Sequence, residues 1–180
     1  TEDAWTLEDD WEGDMFDPMT YSTNFLEKLL DASGPSGFEQ RPAAVWRQEA
    51  ETFAAAVRTD VAGNTFAEVN PEGSPCVMLA GHIDEIGLQV THIDDEGFLY
   101  FSGIGGWDPQ VVVGQRVRIL TIRGDLVGVV GKMAIHLQKP DQRKKVSELA
   151  DLWVDIGASS RQEVEDTGLR VGDPMVIDSS

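Results

Sequence analysis

The 180-residue sequence is poor in basic residues, with 14 lysines and arginines against 32 aspartates and glutamates and a formal net charge of −18. Phosphate binding depends on clustered Lys and Arg, so this composition argues against nucleic acid as a partner. An anionic membrane surface would repel the chain for the same reason. A strongly hydrated acidic surface keeps a protein soluble when salt screens its charges, and we therefore expect a salt-loving (halophilic) source.

The sequence also lacks the means to form an internal disulfide, because Cys76 is its single cysteine. Cys76 lies in the apolar run CVMLA at residues 76–80, which predicts a small thiol buried in the core. No stretch approaches the ~20 apolar residues of a membrane span. The first residues are acidic where a secretory signal would be basic and then apolar. We expect a cytoplasmic protein.

Two helices are predicted to follow an acidic extension at residues 1–20. Apolar residues at three- and four-residue spacing predict the first helix over residues 22–32. The second is predicted to start near Pro42, a residue that suits a first helical turn, and to bury a stripe that includes Trp46 and Phe53.

Short strands are predicted to dominate the rest of the chain. Turn residues such as Gly63-Asn64 separate pairs of apolar runs and predict three hairpins. The wholly apolar run at residues 77–80 predicts a strand covered on both faces. Ser160 followed by Glu163 predicts a short capped helix. The strands are predicted at residues 58–62, 65–70, 77–80, 87–93, 98–103, 116–122, 126–131, 152–156 and 174–177.

These elements predict part of an α/β layer fold that carries an inserted β-barrel-like domain. The first part of the α/β domain is placed at residues 21–86 and the inserted β-rich domain at residues 87–173. Residues 174–180 are placed at the start of a return to the α/β domain.

The segment GHIDEIG, residues 81–87, carries the clearest chemical signal. It directly follows a predicted buried strand, and ligands of open α/β sheets gather at the carboxyl ends of strands. His82 and Asp84 are two residues apart, so in extended backbone their side chains leave on the same side. The carboxylate can then hydrogen-bond one imidazole nitrogen while the other binds a metal. The alternative is an ordinary hydrogen-bonded histidine at a strand end.

Six motifs occur in order along the chain: SGPSGFE (33–39), DVAGN (60–64), AGHIDEIGLQVTHIDDEGFLYF (80–101), GGWDPQVVVGQRVRI (105–119), DLWVDIGASS (151–160) and VGDP (171–174). In content and order they resemble the tetrahedral, or glutamyl-type, aminopeptidases. These belong to the clan of dinuclear co-catalytic metallopeptidases, and some relatives are labelled endoglucanases. The resemblance covers about residues 21–178, and GHIDEIG combined with GGWDPQVVVGQRV is its most specific part.

This resemblance implies an α/β catalytic domain with two divalent metal ions, zinc or cobalt, interrupted by a β-rich dimerisation domain. It implies that His82 is a metal ligand and that Asp84 is the carboxylate that supports it. The implied activity is release of N-terminal residues from peptide substrates. The implied assembly is a homo-oligomer, a dimer that builds to a dodecamer.

The other metal ligands of the family, and its general base, lie beyond the point that matches Ser180. Catalytic zinc needs about three protein ligands, and two-metal hydrolysis needs a bridging group. We therefore expect at most one partial metal site and no activity from this chain alone. Its first helices and last strand would expose apolar faces, so we expect self-association or a complementing C-terminal half.

Five further residues carry open interpretations. His92 is expected on the surface or in the barrel wall, with a metal ligand as the alternative, and His136 is either a loop residue or one that faces a neighbouring active site. Glu85 either supports the site or begins a helix, and Glu39 either lies near the site or caps the second helix. Trp107 is expected to serve a tight turn and dimer packing rather than substrate contact.

Two other functions remain open. A non-catalytic assembly or regulatory protein would keep the dimerisation domain and lose the peptidase chemistry. A β-barrel peptide-binding module would explain the inserted domain but not the intact GHIDEIG segment.

Overall fold

The computed structural model describes residues 23–178, which begin with two helices. Helix α1 spans Thr23–Asp31 and α2 spans Gln40–Ala50. The first helix is confirmed to within one residue at its end, whereas its predicted start and the acidic extension lie outside the described residues. Leu26 and Leu30 on α1 are 54% and 72% exposed, so an apolar face of this helix is uncovered. In the part of the chain that is described, no helix is long and apolar enough to cross a membrane.

Helix α2 begins two residues earlier than predicted and ends before its predicted apolar stripe is complete. The chain leaves the helix after Ala50, and the Ala54 N–H donates to the Ala50 carbonyl at 2.9 Å. Phe53 lies in this turn and is 62% exposed, so the predicted burial of Phe53 is wrong. Trp46, still within the helix, is half-buried as the stripe requires.

A two-stranded hairpin follows, with β1 at Ala56–Thr59 and β2 at Thr65–Glu68 running antiparallel. The Asp60 carboxylate accepts hydrogen bonds from the backbone N–H and the side-chain amide of Asn64, each at 2.9 Å. Gly63 has a φ of +93°, a conformation that costs glycine nothing. The predicted hairpin is confirmed, with shorter strands.

Residues 76–84 form neither helix nor strand, so the predicted buried strand at residues 77–80 is wrong. Val77, Met78 and Leu79 are 74%, 80% and 94% exposed. Cys76 is exposed as well, which contradicts its predicted burial. The segment lacks neighbours, because no strand within residues 23–178 pairs with it and no second layer covers it.

The other six strands close into an antiparallel barrel in the order β3-β4-β7-β6-β5-β8. The closed ring leaves no unpaired edge, and it confirms the predicted α/β fold with a β-barrel. The strands are β3 (Gly87–Ile93), β4 (Leu99–Ile104), β5 (Arg116–Thr121), β6 (Gly124–Lys132), β7 (Leu152–Asp155) and β8 (Pro174–Ile177).

Strand β8 belongs to the barrel, although the predicted domain boundary leaves it outside. It pairs with β3 through Met175 opposite Leu88, and with β5 through Ile177 opposite Val117. The ring cannot close without it, so β8 lies in the barrel, one strand beyond the predicted end of the inserted domain at residue 173. Its apolar face is also covered, since residues 174–176 are buried, which corrects the expectation of an exposed last strand.

The barrel encloses the main hydrophobic core. Two short helices pack on it: α3 at Pro109–Val112 and α4 at Arg161–Asp166. The Ser160 hydroxyl caps α4 by accepting from the Glu163 N–H, as predicted. The buried core residues are Leu88, Val90, Ile93, Leu99, Phe101, Val112, Val117, Ile119, Val130, Leu152, Val154, Val164, Leu169 and Met175.

Candidate functional site

The GHIDEIG segment is held by the loop between α1 and α2. Glu85 N–H donates to the Gly34 carbonyl at 3.0 Å, and Ser36 N–H donates to the Glu85 carbonyl at 3.2 Å. Pro35 and Glu85 form a parallel β-bridge between the two segments. Two pieces of chain about 50 residues apart in sequence are thus joined along their backbones immediately before β3 begins.

His82 and Asp84 are in contact, as their spacing predicts. The Nδ1 atom of His82 lies 2.9 Å from Oδ1 of Asp84. The Ser36 hydroxyl donates to the other carboxylate oxygen, Oδ2. Asp84 therefore links a hydroxyl and an imidazole, with one partner on each of its oxygens.

The electrostatics of this trio keep the carboxylate ionised. The hydrogen bond from Ser36, followed by that from His82, lowers the pKa of the Asp84 carboxyl below its ordinary value. An ionised carboxylate can only accept hydrogen bonds, so it favours a proton on Nδ1 of His82. The lone pair of Nε2 is then free, and the His82 side chain is 86% exposed.

The side chains gathered here can provide one metal ligand, the His82 imidazole, but they do not form a complete metal site. An exposed imidazole with a carboxylate behind its second nitrogen is the arrangement that metal-binding histidines use. However, residues 23–178 contain no group of three or more His, Cys, Asp or Glu side chains that could hold a metal ion. Further ligands would have to come from elsewhere.

The side chains of the two glutamates near the site both accept from backbone N–H groups of the loop between α1 and α2. Glu85 Oε1 accepts from the Gly34 N–H at 2.9 Å, and no helix begins at this residue. Glu39 stands at the N-terminus of α2 but does not cap it with its side chain. Its Oε1 accepts instead from the Gly37 N–H at 2.6 Å, within the loop itself. Both glutamates thus shape the loop that holds the GHIDEIG segment.

The remaining candidates lie on the barrel. The indole N–H of Trp107 donates to the Gly87 carbonyl at 2.6 Å, and its half-buried ring packs against the barrel core. His92 is exposed on β3, with its ring centroid 5.9 Å from that of Tyr100. His136 is exposed in a single 3-10 turn.

Ser36 is the residue of the trio that the sequence did not single out. It lies in the motif SGPSGFE, but it is 48 positions from Asp84, and nothing in the spacing joins the two. One signal could have indicated the contact. The glycine-rich segment at residues 33–39 and the GHIDEIG segment both belong to the set of motifs that resembles one family.

Comparison with known proteins identifies the family of this chain. The family model of the M42 glutamyl aminopeptidases matches residues 63–180. The lysyl aminopeptidase of Pyrococcus furiosus is 38% identical over 152 residues, which cover 82% of this chain and 43% of the relative. The TET aminopeptidase of Thaumarchaeota archaeon SCGC AB-539-E09 superimposes with a TM-score of 0.82 at 39% identity, over 86% of this chain and 43% of that one.

A third relative, the TET1 peptidase of Pyrococcus horikoshii, superimposes with a TM-score of 0.73 at 34% identity. The match covers 86% of this chain and 46% of that structure. The chain thus spans less than half the length of these relatives. Motif order, barrel fold and sequence identity agree, and the chain belongs to the M42 glutamyl aminopeptidase family.

Proposed function

We propose that this chain supplies part of the dinuclear metal centre of an aminopeptidase that releases N-terminal residues from peptides. The observation that carries the proposal is the His82 imidazole, which is exposed and held at Nδ1 by Asp84. Membership in the M42 family supports peptide substrates.

In this proposal His82 binds one divalent ion, zinc or cobalt, through Nε2. When bound, such an ion polarises a carbonyl oxygen and lowers the pKa of a coordinated water. The other residues of this chain orient the His82 imidazole that binds the metal. Asp84 accepts the Nδ1 proton, which fixes the tautomer and makes Nε2 a better donor to the metal.

The rest of the centre is proposed to come from polypeptide that matches the part of the relatives this chain does not span. That polypeptide would supply the other ligands and the general base, so the chain alone would be inactive. The exposed run Val77–Leu79 supports this view, because apolar side chains this accessible are usually covered by a partner. The run would then become the buried strand that its composition predicts.

Assembly is proposed to follow the relatives. The TET1 peptidase of Pyrococcus horikoshii is described as assembling into a tetrahedron or a large octahedral shell. We propose that this chain also takes part in a homo-oligomer, with the barrel as its dimerisation domain.

A non-catalytic assembly protein is the second candidate. The barrel is closed and has its own core, whereas the described residues hold no complete metal site. A protein that retained only the oligomerising domain would show this combination. It would form oligomers, bind no stoichiometric metal and release no amino acids.

The test compares His82→Ala with His92→Ala in the full-length protein, meaning this chain together with the polypeptide that is proposed to supply the other ligands. Metal content and release of N-terminal residues are the readouts. We expect His82→Ala to abolish metal-dependent release, because one imidazole ligand is lost. His92→Ala removes an exposed barrel histidine and should leave both readouts unchanged. Unchanged turnover in His82→Ala would refute the assignment, and absent turnover in the parent would favour the assembly protein.

The cellular setting is also a proposal. The single cysteine suits a reducing cytoplasm, and the charge of −18 suits high salt. The temperature of unfolding should then rise from low to molar potassium chloride. A steady fall over the same series would contradict the halophilic origin.

A further inference from the structure

Ser36 reaches the His82–Asp84 pair from the loop between the first two helices. Its hydroxyl donates to Oδ2 of Asp84, while Oδ1 of the same carboxylate lies 2.9 Å from Nδ1 of His82. We infer that Ser36 is a positioning residue of the metal site, whose hydroxyl fixes the Asp84 carboxylate and thereby the orientation of the His82 ring. This inference rests on the proposed function, because it concerns the same metal-binding imidazole.

The carboxylate needs a second anchor because its own segment is weakly supported. Residues 76–84 form neither helix nor strand, and the Asp84 side chain is 35% exposed. A carboxylate held through one oxygen can rotate about its last side-chain bond. A hydroxyl on the other oxygen stops that rotation and fixes the plane in which the imidazole N–H must lie.

Ser36 can serve as this anchor because its own backbone is fixed. Its N–H donates to the Glu85 carbonyl at 3.2 Å, and the neighbouring Pro35 is buried. Pro35 packs so closely on Gly87 that a Cβ at Gly87 would lie 2.5 Å from the Pro35 Cβ. The hydroxyl therefore sits on a loop attached to both the GHIDEIG segment and the start of β3.

A purely structural role predicts something different. If the Ser36 hydroxyl only tied the loop in place, its loss would loosen the loop without a specific effect on the ring. The backbone bonds between Gly34 and Glu85 would still hold the two segments together. The ring tautomer of His82 is therefore the readout that separates positioning from support.

The first experiment measures the tautomer of His82 in the ¹⁵N-labelled chain by long-range ¹H–¹⁵N correlation. It is run in mildly alkaline buffer, where the two neutral tautomers are compared. We expect the Nδ1–H form in the parent, a smaller fraction of it in Ser36→Ala, and recovery in Ser36→Thr, which keeps the hydroxyl. Ser102→Ala removes an exposed hydroxyl on β4 and should leave the tautomer unchanged.

The second experiment titrates Zn²⁺ against the ring resonances of the same samples. Mutating a residue that hydrogen-bonds to a metal-bound histidine typically lowers metal affinity by about tenfold to a hundredfold. Ser36 is one hydrogen bond further from the metal, because it contacts Asp84 and not the histidine itself. We expect Ser36→Ala to weaken Zn²⁺ binding at His82 by about threefold to tenfold. The ring signals of His92 and His136 report unspecific binding in each titration.

The outcomes separate this inference from the proposed function. If Zn²⁺ does not shift the His82 ring in the parent chain or in the full-length protein, the proposed function fails. If Zn²⁺ shifts it but Ser36→Ala changes neither tautomer nor affinity, only the role of Ser36 is overturned. A loss in Ser36→Ala that Ser36→Thr does not restore also overturns it, because the hydroxyl would then not be the cause.

Discussion

The Arg41 guanidinium on α2 makes two parallel hydrogen bonds to the Asp125 carboxylate on β6, at 2.7 and 2.6 Å. This forked ion pair joins the helical part of the chain to the barrel across 84 sequence positions. Helix α2 follows directly on the loop that holds the GHIDEIG segment. The pair therefore connects the surroundings of His82 to the turn of the β5–β6 hairpin, where Asp125 lies.

A double-mutant cycle with Arg41→Ala and Asp125→Ala should give a coupling free energy of about 0.3–1 kcal/mol. The value is small because the two side chains are 45% and 30% exposed and water screens their attraction. Chemical unfolding of the parent, both single variants and the double variant measures it. Additive effects of the two substitutions would show that the pair is not coupled.

The same coupling should depend on pH. The hydrogen bond from Arg41 lowers the pKa of the Asp125 carboxyl. The stabilisation is then present above the unfolded aspartate pKa of about 3.9, and it is lost as the pH falls through the lower folded value. We expect full coupling at pH 7 and a decline below about pH 4, measured by repeating the cycle along a pH series. Coupling that increased in acid would contradict this assignment.

Asp178 should matter more, because its side chain is only 2% exposed. It accepts from Arg118 at 2.7 Å and lies 3.1 Å from an Arg116 nitrogen. Asp178→Asn removes the negative charge that both guanidinium groups face at this buried position, and we expect the free energy of unfolding to fall by about 2–3 kcal/mol. Asp141→Asn, at an exposed position, should change it by less than about 0.5 kcal/mol. Equal effects of the two substitutions would show that the buried ion pair contributes little.

Gly87 should not tolerate a side chain. A Cβ there would lie 2.5 Å from the Pro35 Cβ and 2.8 Å from the Met175 backbone oxygen. We expect Gly87→Ala to lower the free energy of unfolding by about 1–3 kcal/mol, because neither the buried proline nor a strand carbonyl can yield easily. Gly106→Ala, where a Cβ would meet no atom within 4 Å, is the matched control. A stable Gly87→Ala variant would mean that the loop moves freely against β3.

Cys76 should react readily with an aromatic disulfide reagent in the native chain, because its side chain is exposed. The labelling rate should be close to the rate in denaturant. Adding the polypeptide that is proposed to complete the metal site should slow the reaction by covering the apolar run beside Cys76. Slow labelling of the native chain alone would show that this run is already covered, for example by a second copy.

The sequence predicts the elements whose causes are local. The hairpin turn at residues 60–64 depends on Asp60, Gly63 and Asn64, which lie within one another's reach along the chain. The contact between His82 and Asp84 is equally local, since it depends only on two-residue spacing in extended backbone.

The errors arise where the outcome depends on distant chain. The run at residues 77–80 has the composition of a buried strand, but burial requires neighbours that the described residues do not supply. Phe53 continues the stripe of α2, yet the helix ends at Ala50. Ser36 and the Arg41–Asp125 pair escaped prediction because only the folded chain brings such remote residues together.

The closed barrel also determines how this fold can be altered by evolution. Its first and last strands are neighbours, with Leu88 opposite Met175, so the chain enters and leaves the barrel at points about 5 Å apart. A segment with adjacent ends can be gained, lost or exchanged between genes while the surrounding architecture stays in register. The barrel can thus be replaced as one unit while the chain on either side of it keeps its path.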